Sequence, residues 1–311
     1  MDDGGILQKA REMSKELKIK GGSLELSFYD PENHYLGTRF DRSGLFRSLR
    51  LRSGPGWSDN LTAPWFGEFR AEAHDCVCGP VDEFSAIGYD EAGPGGTFLK
   101  IGVGLLRRPE DPWPYDRFRL YEIADPGVRD TVRRPRRIEF YHILSGYYSY
   151  VKVIEISGKG EFELSHYIQN TGKERLRGEV YNHNFFTLGN DSVGPARMVM
   201  CNFPFEGEWR TKYPYAFQKG QGLHFSRPLV EGESVYMGNI RESGRKSGSP
   251  YEFYVDDEKG GYYVAILGDG DASNAVMWAN HRIACIEPYV PFDIAPGETF
   301  SQVICYSLGR I

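Results

Sequence analysis

Cysteine is scarce in this chain, basic charge is in deficit, and no long apolar run occurs. Five cysteines in 311 residues, at Cys76, Cys78, Cys201, Cys285 and Cys305, are too few and too odd in number for a disulfide framework. Such usage suits a reducing compartment. No stretch approaches the ~20 apolar residues that a membrane helix requires. The start, "MDDGGILQKAREMSKELKIKGG", lacks the apolar core of a secretory leader. A cytoplasmic location and no membrane partner are therefore expected. Lysine and arginine number 37 against 43 aspartates and glutamates, a net charge of −6 with a pI near 5.7. Nucleic-acid partners normally require a basic excess, so none is expected, and a neutral ligand or no ligand fits the balance better.

What is present is apolar and aromatic in quantity. Hydrophobic residues make up 40% of the chain and aromatics 14%, enough for a sizeable core. Ile6, Ala10, Met13 and Leu17 recur at helical spacing, which predicts one short amphipathic helix over 5–18. After Gly21 the pattern changes to short aromatic-rich segments, often alternating, such as "SLELSFY" (23–29), "YYSYVKVIEIS" (147–157) and "ETFSQVICYSL" (298–308). Turn clusters separate them, among them "SGKG" (157–160) and "NTGKE" (170–174). The reading is all-β: a large antiparallel β-sandwich over 23–311, preceded by an extension over 1–22 with its helix.

Two segments carry candidate chemistry. In "RGEVYNHNFFTLGN" (177–190), Tyr181, His183 and Phe185 share one face of a strand, while Asn182, Asn184 and Phe186 share the other. Polar groups on both faces suit a strand end that leaves the core for a cleft, although a structural histidine pinned by neighbours fits the segment as well. In "RIACIEPYVPFDIAPGETF" (282–300), Glu287 ends the apolar run Ile283 to Ile286 and precedes Pro288. A carboxylate there is either poised for proton transfer or an edge group in solvent.

Taken together, "YNHNFFTLG" and "ACIEPYVPFDIAPGETFSQVICYSL" resemble the galactose mutarotase (aldose 1-epimerase-like) superfamily. "GTRFDRSGLFRSLRL" (37–51) is similar to that family's opening strands, so the likeness spans most of the chain from about residue 23. It implies a mutarotase-like supersandwich with His183 as general acid and Glu287 as general base. It implies anomer interconversion by ring opening, with a small sugar or oligosaccharide as partner and neither cofactor nor metal. The scaffold also carries lyases, glycoside-cleaving enzymes and non-catalytic carbohydrate-binding proteins, which stay as alternatives.

The sequence departs from the pattern in two places. The family's Leu-His-Gly-Gly segment is missing, and His74 or His142 is the substitute considered for its sugar-contacting histidine. Arg70 corresponds to the family's substrate-binding arginine but lacks the usual Gly-Arg-x-x-Asn-Arg context. These departures place the chain in an outlying branch. Asn182 and Asn184 are expected to orient the imidazole or meet sugar hydroxyls, and Trp209 to offer a stacking surface. His74, Cys76 and Cys78 make only a partial metal set, better read as ordinary buried thiols beside a histidine. His166 shares the face of Phe162, Leu164 and Ile168, which predicts a satisfied core histidine.

Overall fold

Alternation of apolar and polar residues decides the architecture. In the computed structural model, which describes residues 17–31, 35, 37–64, 77–189, 191–242 and 250–311, every ladder is antiparallel and no helix occurs among the described residues. None of them forms a helix long and apolar enough to cross a membrane. The helix expected over 5–18 falls mostly outside the described residues. Its last two positions, Leu17 and Lys18, open the strand Leu17–Gly21. That strand pairs with Leu24–Phe28 across a turn at Gly22, whose φ of 55° suits glycine. Sheet structure thus begins six residues before the expected boundary at 23, because "LKIKGGSLELSF" reads as a hairpin.

Two large sheets build the sandwich. The six-stranded sheet runs Phe205–Trp209, Ser234–Glu242, Asn274–Asn280, Ala284–Ile294, Leu176–His183, Val81–Phe84 in spatial order. The other has ten strands. Its centre runs Tyr262–Gly268, Thr299–Arg310, Glu161–Asn170, Tyr148–Glu155, Arg137–Leu144. Smaller sheets of four and three strands flank these two.

The inner rows interdigitate in one core. From the six-stranded sheet come Phe84, Val180, Ile286, Met277 and Val235; from the ten-stranded sheet come Ile138, Phe140, Ile154, Leu164 and Tyr306, all fully or almost fully buried. Burying each such side chain contributes about 1.5–3 kcal/mol before conformational entropy is subtracted.

The inner rows are not wholly apolar. His142 continues the row of Ile138, Phe140 and Leu144, while Lys152 and His166 lie on the strands beside it, all 0% exposed. Lys152 forms an ion pair with Asp82, lies 3.6 Å from Asp41, and donates to the Ser43 carbonyl at 2.9 Å. Tyr150 donates to Asp41 at 2.8 Å. His166 contacts the Tyr150 hydroxyl through Nδ1 at 2.9 Å and places Nε2 3.4 Å from Asp82. His166 is therefore a partnered core histidine, as the pattern around it predicted.

Candidate functional site

Strand register places the chemistry. Tyr181 lies opposite Tyr289, and continuing that ladder by two residues sets His183 against Glu287. Opposite residues of an antiparallel pair share a face. Glu287 is also opposite Val276, Cys285 is opposite Trp278, and Trp278 is opposite Tyr236. Glu83 is opposite Tyr181 on the other side. This whole outer face of the six-stranded sheet therefore carries His183, Glu287 and a row of aromatics, while Asn182 and Ile286 face the core.

Loops close over that face and leave a cleft of about 710 Å³. His183 and Glu287 form part of its floor. Phe118, Phe185, Tyr236, Trp278 and Tyr289 supply aromatic lining, and Arg39, Arg117 and Arg210 bring charge from loops. Gly79 lets the segment leading into Val81–Phe84 pass the end of the His183 strand, since a Cβ there would overlap the His183 carbonyl and the Phe185 nitrogen. Both candidate side chains are nearly buried, His183 at 7% and Glu287 at 4% exposure.

His183 Nδ1 lies 3.0 Å from Glu287 Oε1. The two atoms are close but poorly aligned for a mutual hydrogen bond, so Nδ1 remains open to a second acceptor. Arg39 Nη2 approaches Nε2 at 3.0 Å. A guanidinium only donates, so Nε2 must accept, which assigns the proton of the neutral ring to Nδ1. Burial pushes the His183 pKa below its ordinary value; Glu287 pulls it up, and Arg39 adds to the depression. The imidazole is accordingly neutral near pH 7. Phe185 stacks on it at 4.6 Å and Phe40 meets it edge-on at 5.6 Å.

The Cys285 thiol donates to Glu287 Oε1 at 3.3 Å, leaving Oε2 without a hydrogen-bond partner among the described residues. Donor atoms of His183, Cys285 and Glu287 come within 4.8 Å of one another, a spacing at which a cation would fit. Burial, with Glu287 adding to it, raises the Cys285 pKa well above the usual range. The sulfur is thus held as a thiol, whereas metal ligation needs the thiolate.

The other expected site residues sit elsewhere or outside the description. Arg70 and His74 lie outside the described residues, as does Cys76. His142 does not line the cleft: it faces the core, with Nε2 2.9 Å from the Pro126 carbonyl and Nδ1 3.0 Å from the Tyr148 hydroxyl. Asn182 points inward and donates to Asp82. Asn184 donates to the Ile286 carbonyl at 2.8 Å and accepts from Tyr306 at 2.9 Å. Neither asparagine meets the imidazole or lines the cleft, because each falls on the core side of the period-2 alternation. Trp209 packs at the margin of the core beside Tyr213, with ring centroids 5.8 Å apart; its neighbour Arg210 reaches the cleft instead.

Sequence reasoning missed the lining of the cleft. Trp278 had a legible signal, since it shares a face with Val276 and Asn280 in the strand next to Glu287. Arg39 lay inside the opening segment likened to the family but was not singled out. Arg117 sits in an irregular loop, "PWPYDRFRLYE" (112–122), where no periodicity fixes direction.

No family model matches this chain, and no curated protein sequence does. Solved structures do match. The GalM/aldose epimerase homologue from C. elegans aligns over 96% of this chain and 99% of its own, with a TM-score of 0.57 at 12% identity. A galactose mutarotase related enzyme from Lactobacillus acidophilus aligns over 94% and 97%, with a TM-score of 0.57 at 11% identity. A galactose mutarotase-like protein from Clostridium acetobutylicum covers 96% and 98%, at a TM-score of 0.50 and 11% identity. The protein has the galactose mutarotase-like fold.

Proposed function

We propose that this protein is a carbohydrate-active enzyme of the aldose 1-epimerase type, interconverting sugar anomers through ring opening by general acid and base. The observation that carries the reading is the 3.0 Å approach of His183 and Glu287 on the floor of an aromatic cleft. Anomer interconversion removes a proton from the C1 hydroxyl and delivers one to the ring oxygen. Those two oxygens share one carbon, so acid and base must lie close together.

Glu287 takes the hydroxyl proton through Oε2, which has no hydrogen-bond partner among the described residues. His183 serves the ring oxygen through Nδ1. The ring opens, C1 turns, and closure on the other face reverses both transfers. Each positioned transfer contributes roughly 10²–10⁴-fold. Full delivery needs the imidazolium, whose second proton sits on Nε2 and repels Arg39. Arg39 also holds Glu83 through Nε at 2.7 Å, so Nη2 can give way without breaking that ion pair. The Glu287 carboxylate then stabilises the new cation. Trp278, Tyr236 and Phe118 offer apolar surfaces to the C–H faces of a pyranose.

The test is polarimetry of freshly dissolved α-glucose and α-galactose with and without protein, alongside ultraviolet absorbance of an oligosaccharide. The reading expects faster decay of optical rotation and no new absorbance. No acceleration, with absorbance growing from a new double bond, transfers the cleft to lyase chemistry; neither change leaves a binding protein.

A further inference from the structure

We infer that the cleft takes a sugar bearing one anionic group, a carboxylate or a phosphate monoester, and that Arg117 holds that group. The inference rests on the reading above and names the substrate class of the same site.

Tyr181 and Tyr289 lie two residues from His183 and Glu287 on the two adjoining strands, about 7 Å along the sheet. Their rings stack at 4.2 Å and 13°. Arg117 reaches down from its loop onto this pair, its guanidinium 5.4 Å from the Tyr181 ring and Nη1 donating to the Tyr181 hydroxyl at 2.6 Å. A pyranose whose C1 sits at the acid–base pair spans about this length once the anionic group on its exocyclic carbon and that group's hydrogen bond are included. Arg117 is therefore placed for the far end of the sugar while His183 and Glu287 hold the near end.

Three basic side chains crowd one carboxylate at that end. Glu83 is the one carboxylate in ion-pair contact with Arg117 among the described residues, and the distance is 3.7 Å. Arg39 at 2.7 Å and Lys100 at 3.3 Å share the same carboxylate more closely. Tyr181 donates to it as well. Glu179 lies near Arg117 from the side away from the cleft without forming an ion pair with it. Burial foremost, with the two guanidinium groups adding to it, presses the Lys100 pKa down to about 8. A side chain 39% exposed that lines the cleft, is held by hydroxyls and stands 3.7 Å from the carboxylate it pairs with is open to a ligand anion. Guanidinium binds carboxylate and phosphate by paired, charge-assisted hydrogen bonds.

The opposite wall is a weaker candidate. Arg210 is exposed and lies 4.1 Å from the Tyr236 ring centroid, but Glu231 and Glu233 line the cleft beside it. Glu233 is itself taken up by Arg227 at 2.7 Å.

The experiment is calorimetric titration of the full chain with glucose, galactose, glucuronate, galacturonate and glucose 6-phosphate, at 50 and 300 mM salt in separate runs. Proton exchange spectroscopy of each anomer pair accompanies it. At low salt at least one anionic sugar should bind about 10-fold or more tightly than its neutral parent, as a charged hydrogen bond implies. High salt should shrink the difference. The uronates and the phosphate separate the two sources of negative charge. Arg117→Gln should abolish the preference and Arg117→Lys retain part of it, which guards against a misfolded variant. Equal affinity for neutral and anionic sugars overturns the inference, as does a preference removed by Arg210→Gln but not by Arg117→Gln. An anionic preference without faster anomer exchange upholds the inference and rejects the epimerase reading. Faster exchange of every sugar without preference does the reverse.

Discussion

Replacing Lys152 with methionine tests the polar core that underlies the site. Its ammonium is 0% exposed and stands between Asp82 and Asp41, both equally enclosed. Methionine preserves length and apolar volume but removes the positive charge. Asp82 then keeps His166 and Asn182 as partners, and Asp41 keeps Tyr150 and the Ser43 amide at 2.7 Å. Two buried carboxylates would face each other without the cation that lies between them. Breaking a buried ion pair in this way costs about 3–5 kcal/mol. At roughly 2–4 °C per kcal/mol in chains of similar or somewhat smaller size, Tm should fall by about 6–20 °C. Lys152 and its neighbours hold the Asp82 carboxyl well below its ordinary range against burial. Without the lysine, Asp82 can escape its charge by binding a proton, so the loss should be larger at pH 8 than at pH 5. The assay is urea and thermal unfolding of wild type, Lys152→Met and the double variant Lys152→Met/Asp82→Asn. The double variant should recover part of the loss. A single-variant loss below about 1 kcal/mol, or none of this pH dependence, would refute the reasoning.

Two other consequences concern protonation. Because burial depresses the His183 pKa and acid work requires the imidazolium, kcat/KM should rise as pH falls below about 6.5. Arg39→Met removes a neighbouring cation and should move that limb to higher pH; a limb unmoved by this change contradicts the role assigned to Arg39. Burial presses the His142 pKa down to about 3, with Arg129 adding to it. A depressed histidine favours the unfolded state in acid: the stability is fully present above pH 6.5 and is lost as pH falls toward 3. Between pH 6.5 and 4.5 this amounts to about 2 kcal/mol, measurable as a shift in urea midpoint. A profile flat over that interval would show that His142 is not kept neutral in the fold.

The sequence was most legible where a two-residue period repeats. It put Tyr181, His183 and Phe185 on one face, and register then brought His183 to Glu287. The motif likeness supplied the pairing between distant strands, which spacing alone could not. The same alternation explains a misreading. Polar residues on both faces suggested a strand leaving the core, yet Asn182 stays inside because Asp82, Lys152 and His166 make that interior polar. Nothing local to "YNHNFF" announces a lysine on the facing sheet. His142 was misassigned for a related reason, since its row of Ile138, Phe140 and Leu144 already pointed inward. Net charge says nothing of how charge is placed: three arginines from separate loops line one cleft in a chain of −6 overall.

The account depends most on His183 and Glu287 working as a pair. Proton exchange spectroscopy at C1, comparing wild type with Glu287→Gln on the sugar that turns over fastest, measures this directly. The amide keeps the shape but takes up no proton, so anomer exchange should slow by roughly 10²–10⁴-fold while the fold persists. Exchange as fast in Glu287→Gln as in wild type would contradict the account.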